Sequence, residues 1–237
     1  MSCRVIVSLH FVCLLVLAAD ARKWRAVSYP EQHTMSAQRA FRHIPSSAVR
    51  EFARAEKARM KHDMRAFELH LSKGIEIAPL FTEALNNLGA YYLESGDLDR
   101  AGVLLNRAAD SDSGCAAVAL NRGILAIAKG NLAEAETFLR RAVRTEPAFP
   151  EAQYLLGAVL QKRNENPEEA VRFLRAGAER FPDAHLRAAL CLYRCGRTRD
   201  AIAEVDAYLL TGDSENRALA RSWLEIMEQT LAHHPWN

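Results

Sequence analysis

The sequence predicts an all-α protein built from repeated helical hairpins, and three observations predict it. Ala, Leu, Glu and Arg abound while aromatic residues make up only 8%, a composition that favours helix over sheet. A set of small and apolar residues recurs in steps of 34: Gly89, Gly123 and Gly157; Gly96 and Gly130; Ala101 and Ala135; Leu105 and Leu139; Ala108 and Ala142. Repetition of that kind marks a stack of equivalent units rather than one closed core. Within each period the apolar residues fall on two helical faces, separated by a turn that contains glycine.

The first element precedes the array. Arg4 is followed by a nearly continuous hydrophobic run from Val5 to Ala19, then by Ala19-Asp20-Ala21 with small residues where a signal peptidase cuts. A run of about 15 apolar residues is short of the roughly 20 that span a bilayer, so residues 1–21 read as a secretory signal peptide. The chain is then exported, periplasmic or secreted, with Arg22 its first mature residue. An uncleaved anchor is the alternative, and a lipoprotein is disfavoured because no small residue stands just before Cys13. No later segment is apolar enough to cross a membrane. Residues 22–45, with Pro30, Pro45 and scattered histidines, read as an irregular N-terminal arm.

The array proper runs from 46 to 232. In its clearest unit, Leu88, Gly89 and Tyr92 share one face of a first helix, and Ala101, Leu105 and Ala108 one face of a second. Small residues there let two helices approach closely. Ser95-Gly96-Asp97 supplies the turn, with glycine for a positive φ and Asp97 to cap the second helix. Lys129-Gly130-Asn131 repeats the device, and Pro147 closes that unit. The packing positions are therefore Gly89, Ala101, Ala108, Gly123, Ala135, Ala142, Gly157 and Ala170. Ala170 lies 35 residues after Ala135, so the third regular copy carries one extra residue in its turn, Arg163-Asn164-Glu165-Asn166-Pro167. A weaker copy follows with Ala189, Leu192, Gly196, Ala201 and Val205. A degenerate first copy spans Ala48 to Pro79, with Phe67 where the others have alanine. Repeats are placed at 48–81, 82–115, 116–149, 150–184 and 185–212, with a capping helix at 215–232 that carries Trp223, Ile226, Met227 and Thr230 on one side.

These residues resemble the tetratricopeptide repeat (TPR) family over roughly residues 46–212. The resemblance implies a right-handed α-solenoid of about five TPR hairpins plus the capping helix. In that family the first helix of each hairpin lines a concave surface. Carried over position by position, the peptide-binding candidates are Asn86, Leu93, Leu120, Ile124, Ile127, Tyr154, Leu190 and Tyr193, with Glu83, Ala90, Ala117, Glu151, Ala158, Gln161 and Leu186 at the same registers. The apolar centre suits a helix or extended apolar segment. The family's carboxylate-gripping arrangement is absent in outline, because Ala90, Glu151 and Leu155 stand where polar or basic residues would be. Ile124→Lys is the variant that such a groove suggests.

Nothing in the sequence points to catalysis. It has no G-x-S-x-G elbow, no Gly-rich phosphate loop and no H-E-x-x-H helix. Glu168 and Glu169 read as first-turn acids that favour a helix dipole, and Glu134 and Glu136 as a solvated face. Histidines are too scattered for a zinc site, so no metal and no cofactor are expected. Cys191 and Cys195, four apart on one helix, read as two small buried hydrophobes, and a net charge of +2 gives no electrostatic case for nucleic acid. The sequence thus implies a non-enzymatic scaffold that binds a protein or peptide on its concave face. The alternative is a self-associating structural component of a cell-envelope complex, held through the terminal helix and Trp223.

Overall fold

The computed structural model describes residues 44–233, which form eleven helices and, among the described residues, no strand. The expected signal peptide and nearly all of the N-terminal arm lie outside the described residues. No helix among them is long and apolar enough to cross a membrane. The chain falls into two compact units, residues 44–113 with 124–130, and residues 114–123 with 131–233.

In the first unit, α1 (Ser46–Met60) pairs with α2 (Met64–Ile77), and α3 (Thr82–Ser95) with α4 (Leu98–Ser111), while α2 packs on α3. The C-terminal part of α5 (Ala116–Ala128) belongs here; Leu125 lies against Gly102, where a Cβ would stand 3.6 Å from its side chain. The second unit begins with the other part of α5 and continues through α6 (Leu132–Thr145), α7 (Pro150–Arg163), α8 (Pro167–Gly177), α9 (Asp183–Arg194), α10 (Thr198–Leu210) and α11 (Arg217–His233). There α7 pairs with α8 and α9 with α10, α6 packs on α7, α8 on α9, and α11 on α10. This is the expected fold class: helices paired consecutively, as in a TPR solenoid.

The recurring glycines do the same job three times. A Cβ on Gly89 would stand 2.9 Å from the Leu105 side chain, one on Gly123 2.8 Å from Leu139, and one on Gly157 2.7 Å from Leu174. Each value is too short for a real contact, so each first helix presents bare backbone to a leucine of its own second helix. The alanines at 101, 108, 135, 142 and 170 are wholly buried on the facing stripes. Where the third copy departs from alanine, Gly177 takes its place, since a Cβ there would meet the Tyr154 Cβ at 2.9 Å and the Pro150 carbonyl oxygen at 3.1 Å. Phe67, the misfit of the first copy, is buried and meets Tyr91 edge to face at 5.9 Å.

The turns obey the period more strictly than the sequence suggests. Within the hairpin turns positive φ occurs at His62, Gly96, Gly130, Asn164 and Gly196, in steps of 34, 34, 34 and 32, and Gly212 adds one more after α10. His62, Gly96 and Gly196 close their helices with the paired bonds of a Schellman motif; for Gly96 these are Gly96 N–H to Leu93 O and Asp97 N–H to Tyr92 O. Three of the second helices then start on a side-chain cap, from Asp63, Asp97 and Asn166. Asn131 does not repeat that device: its side chain makes no capping bond. A non-glycine residue in this conformation is strained, so His62→Gly is expected to raise stability by about 0.5–1 kcal/mol. A urea titration of the two proteins measures it, and an unchanged or lower midpoint goes against the strain.

Candidate functional site

The candidate groove residues sit on α3, α5, α7 and α9, the first helices of their hairpins. These helices are buried on most sides: every residue from Thr82 to Ala90 is buried, as are nine residues of α7. Asn86, Leu120, Ile124, Tyr154 and Leu190 are buried, whereas Leu93, Ile127 and Tyr193 keep partly open side chains. In the first unit the open positions are Leu93 and Ile127, 34 residues apart on α3 and α5. In the second, Tyr193 is half-open at the end of α9.

What the second unit assembles is a polar cluster. The Tyr154 hydroxyl donates to the Asp183 carboxylate. Arg187 Nε donates to the Tyr154 oxygen at 3.0 Å, and its Nη1 to Gln161 Oε1 at 3.1 Å. The Gln161 amide donates in turn to the Arg187 carbonyl at 3.2 Å, and Asp183 lies 3.5 Å from the guanidinium. Phe181 stacks on the Tyr154 ring at 4.6 Å. Arg187 is 3% exposed and Tyr154 6%, so burial pushes the tyrosine hydroxyl well above its usual range. Tyr154 and Gln161 therefore serve to tie α7 to α9 through Arg187. Arg187 escaped the sequence reading; its signal was a lone charge among the buried residues of α9, four places after Asp183.

The acidic residues read as solvent-facing or dipole-stabilising are largely paired. Arg140 grips Glu169 through two bonds of 2.7 Å and also bonds Glu136, which receives a further bond from Arg163 at 2.6 Å. The Arg140 bonds hold the Glu169 carboxyl below its ordinary value. Glu136, expected on a solvated face, is thus an ion-pair residue; only Glu134 is exposed as expected. Glu168 pairs with Arg197 at 2.8 Å. Burial alone would raise Glu204, but bonds from His185 at 2.7 Å and Arg175 at 2.5 Å hold it below the carboxylate range.

The cysteines also need correcting. Cys115 and Cys191 are buried, but Cys195 is exposed where α9 ends, and all three are free thiols. The helix stops at Arg194, so Cys195 is the residue that caps it, beyond the buried part of α9. Burial, with a smaller contribution from Cys195, pushes the Cys191 thiol up to about 12. Limiting iodoacetamide at pH 8 is expected to label Cys195 at least tenfold faster than Cys191, because only thiolate reacts. Peptide mapping by mass spectrometry decides it, and equal labelling contradicts the burial of Cys191. Among the described residues no group of three or more metal-ligating side chains converges.

Two overlapping stretches, residues 92–159 and 126–190, match the family model for the tetratricopeptide repeat. Together the two matches cover residues 92–190. The solved structures that the chain is similar to include TPR folds. YrrB, described as a TPR protein with an unusual peptide-binding site, shares 17% identity over 78% of this chain and 96% of its own, at a TM-score of 0.62. PilF of Pseudomonas aeruginosa shares 18% over 81% of this chain and 94% of its own, at 0.64. MamA shares 18% over 81% and 97%, at 0.60. At such identities the likeness is one of fold. No curated protein matches the sequence.

Proposed function

We propose that this chain is a non-enzymatic scaffold that binds a protein or peptide through the faces of its first helices, in an exported compartment. The observation that carries the reading is the pair Leu93 and Ile127. They are equivalent residues of successive repeats, both apolar and both partly open where the ends of α3 and α5 emerge beside the exposed Glu94 and Ala128. An apolar side chain left open at the same register twice suits an apolar segment laid along the helices. YrrB, the similar TPR protein with an unusual peptide-binding site, is consistent with this use of the fold. The hydrophobic run from Val5 to Ala19 supports export.

Ile124 is a poor probe, because at 4% exposure a lysine there would place an unpaired charge in the interior. Leu93→Glu and Ile127→Glu are better. Each is expected to reduce capture of the native partner at least tenfold while leaving the far-ultraviolet circular dichroism unchanged. Undiminished capture by both variants overturns the groove.

Self-association remains the second reading, on different residues. Trp223 is buried and so is taken up within the fold. Leu69 and Val103, again 34 apart, are 51% and 62% exposed on the second helices. Light scattering that returns a monomer at micromolar concentration removes this reading.

A further inference from the structure

Glu83 stands out among the groove-register residues of the first unit. It is 5% exposed, yet no cation pairs with it among the described residues. Its carboxylate is met by its own backbone N–H and faces Asp112, a like charge, and burial pushes it above the usual carboxylate range. Its neighbours on the helix are Thr82, Asn86 and Asn87, all buried; Thr82 bonds Ser111 at 2.9 Å and the Asn87 amide donates to Glu56 at 3.2 Å.

The repeat supplies its own comparison. Glu151, 68 residues on, occupies the same register of α7 and has a cation, Arg180, at 3.7 Å. Arg180 comes from the loop after the second helix, three places past Gly177. The corresponding alanine in the first unit is Ala108, and three places past it stands Ser111, followed by Asp112. So where the second unit provides an arginine for this glutamate, the first provides a hydroxyl and another acid. A buried carboxylate without a counter-charge is costly, and a cation brought from outside relieves that cost.

We propose that Glu83 is a subsite for the guanidinium or ammonium of a bound polypeptide, the ligand's basic side chain taking the place that Arg180 holds beside Glu151. The proposal rests on the scaffold reading and specifies the partner: a segment that presents Arg or Lys next to its apolar residues. Asn86 and Asn87 lie on the same stretch of α3.

The test uses the whole chain and a fluorescein-labelled tetra-arginine peptide, with tetra-citrulline as its neutral isostere, followed by fluorescence anisotropy at two salt concentrations. Arginine binding that weakens with salt, falls at least tenfold in Glu83→Gln and changes less than twofold in Glu151→Gln is the expected result. Equal binding by Glu83→Gln, citrulline binding as well as arginine, or no arginine binding at all overturns the proposal. Glu83→Gln is isosteric and removes a buried charge, so its fold is checked by a thermal midpoint no lower than that of the unaltered protein. A fall of the Glu83 carboxyl titration on adding peptide, read by carbon-13 NMR in the unaltered protein, is a second expected result; no shift counts against the site. Native-partner capture that survives Glu83→Gln but is lost in Leu93→Glu leaves the groove standing and removes only the cation subsite.

Discussion

Arg187→Ala is expected to lower the unfolding free energy by about 3–4 kcal/mol, as much as the loss of a large buried apolar side chain. The alanine removes three supports together. The Tyr154 oxygen loses its donor, the Gln161 amide loses both its acceptor role and its alignment, and the space of a long buried side chain is vacated. Asp183 is less affected, because its side chain is 17% exposed and water can take over part of its solvation. That distinction yields an internal control. Arg187→Met restores the stem but none of the hydrogen bonds, and is expected to recover about half of the loss. Urea denaturation followed by circular dichroism measures all three proteins. A loss below about 1 kcal/mol for the alanine variant means that the cluster is dispensable.

The second large effect separates two glycines that look alike in the sequence. Gly157→Ala is expected to cost about 3 kcal/mol, whereas Gly89→Ala costs about 1 or less. Alanine gains about 1 kcal/mol of helix propensity at either site, so the difference lies in what the new methyl meets. At Gly89 the near atoms belong to the Leu105 side chain, which can rotate away. At Gly157 they include the Leu174 backbone nitrogen at 2.8 Å and the Ala170 carbonyl oxygen at 3.1 Å, and backbone in a packed helix cannot move without moving the helix. Thermal melts of the two variants give the ordering directly, and equal midpoints contradict it.

The fold was legible because it is written in residues whose constraint is local. Gly89, Gly123 and Gly157 announce close helix packing, and Gly96 and Gly130 announce positive φ, since few other residues tolerate those sites. His62 and Asn164 fill the same turn positions but carry no such signature, so two of the five turns were hidden. The candidate site was less legible. Family register correctly located residues on the first helices, but exposure depends on what packs against each one, and that is not a property of the register. Leu93 and Leu120 are the same residue type at the same kind of position, yet one is partly open and the other wholly buried. Arg187 and Gln161 illustrate the same limit: their partnership spans 26 residues and arises only when α7 and α9 pack. Cys195 was misjudged because its helix was expected to run past it, whereas α9 ends one residue earlier.

The turn of the third hairpin has a consequence of a different sort. Asn164 keeps the 34-residue beat, and the additional residue enters only afterwards, so that Leu174 still reaches Gly157 although it is 17 residues away instead of 16. The backbone reversal is held by its first position, and the stretch from Glu165 to Asn166 works as an expansion joint: length can be added there while both rails on either side stay aligned. For anyone wishing to insert a reporter or to swap hairpins between such proteins, that short segment is the natural seam.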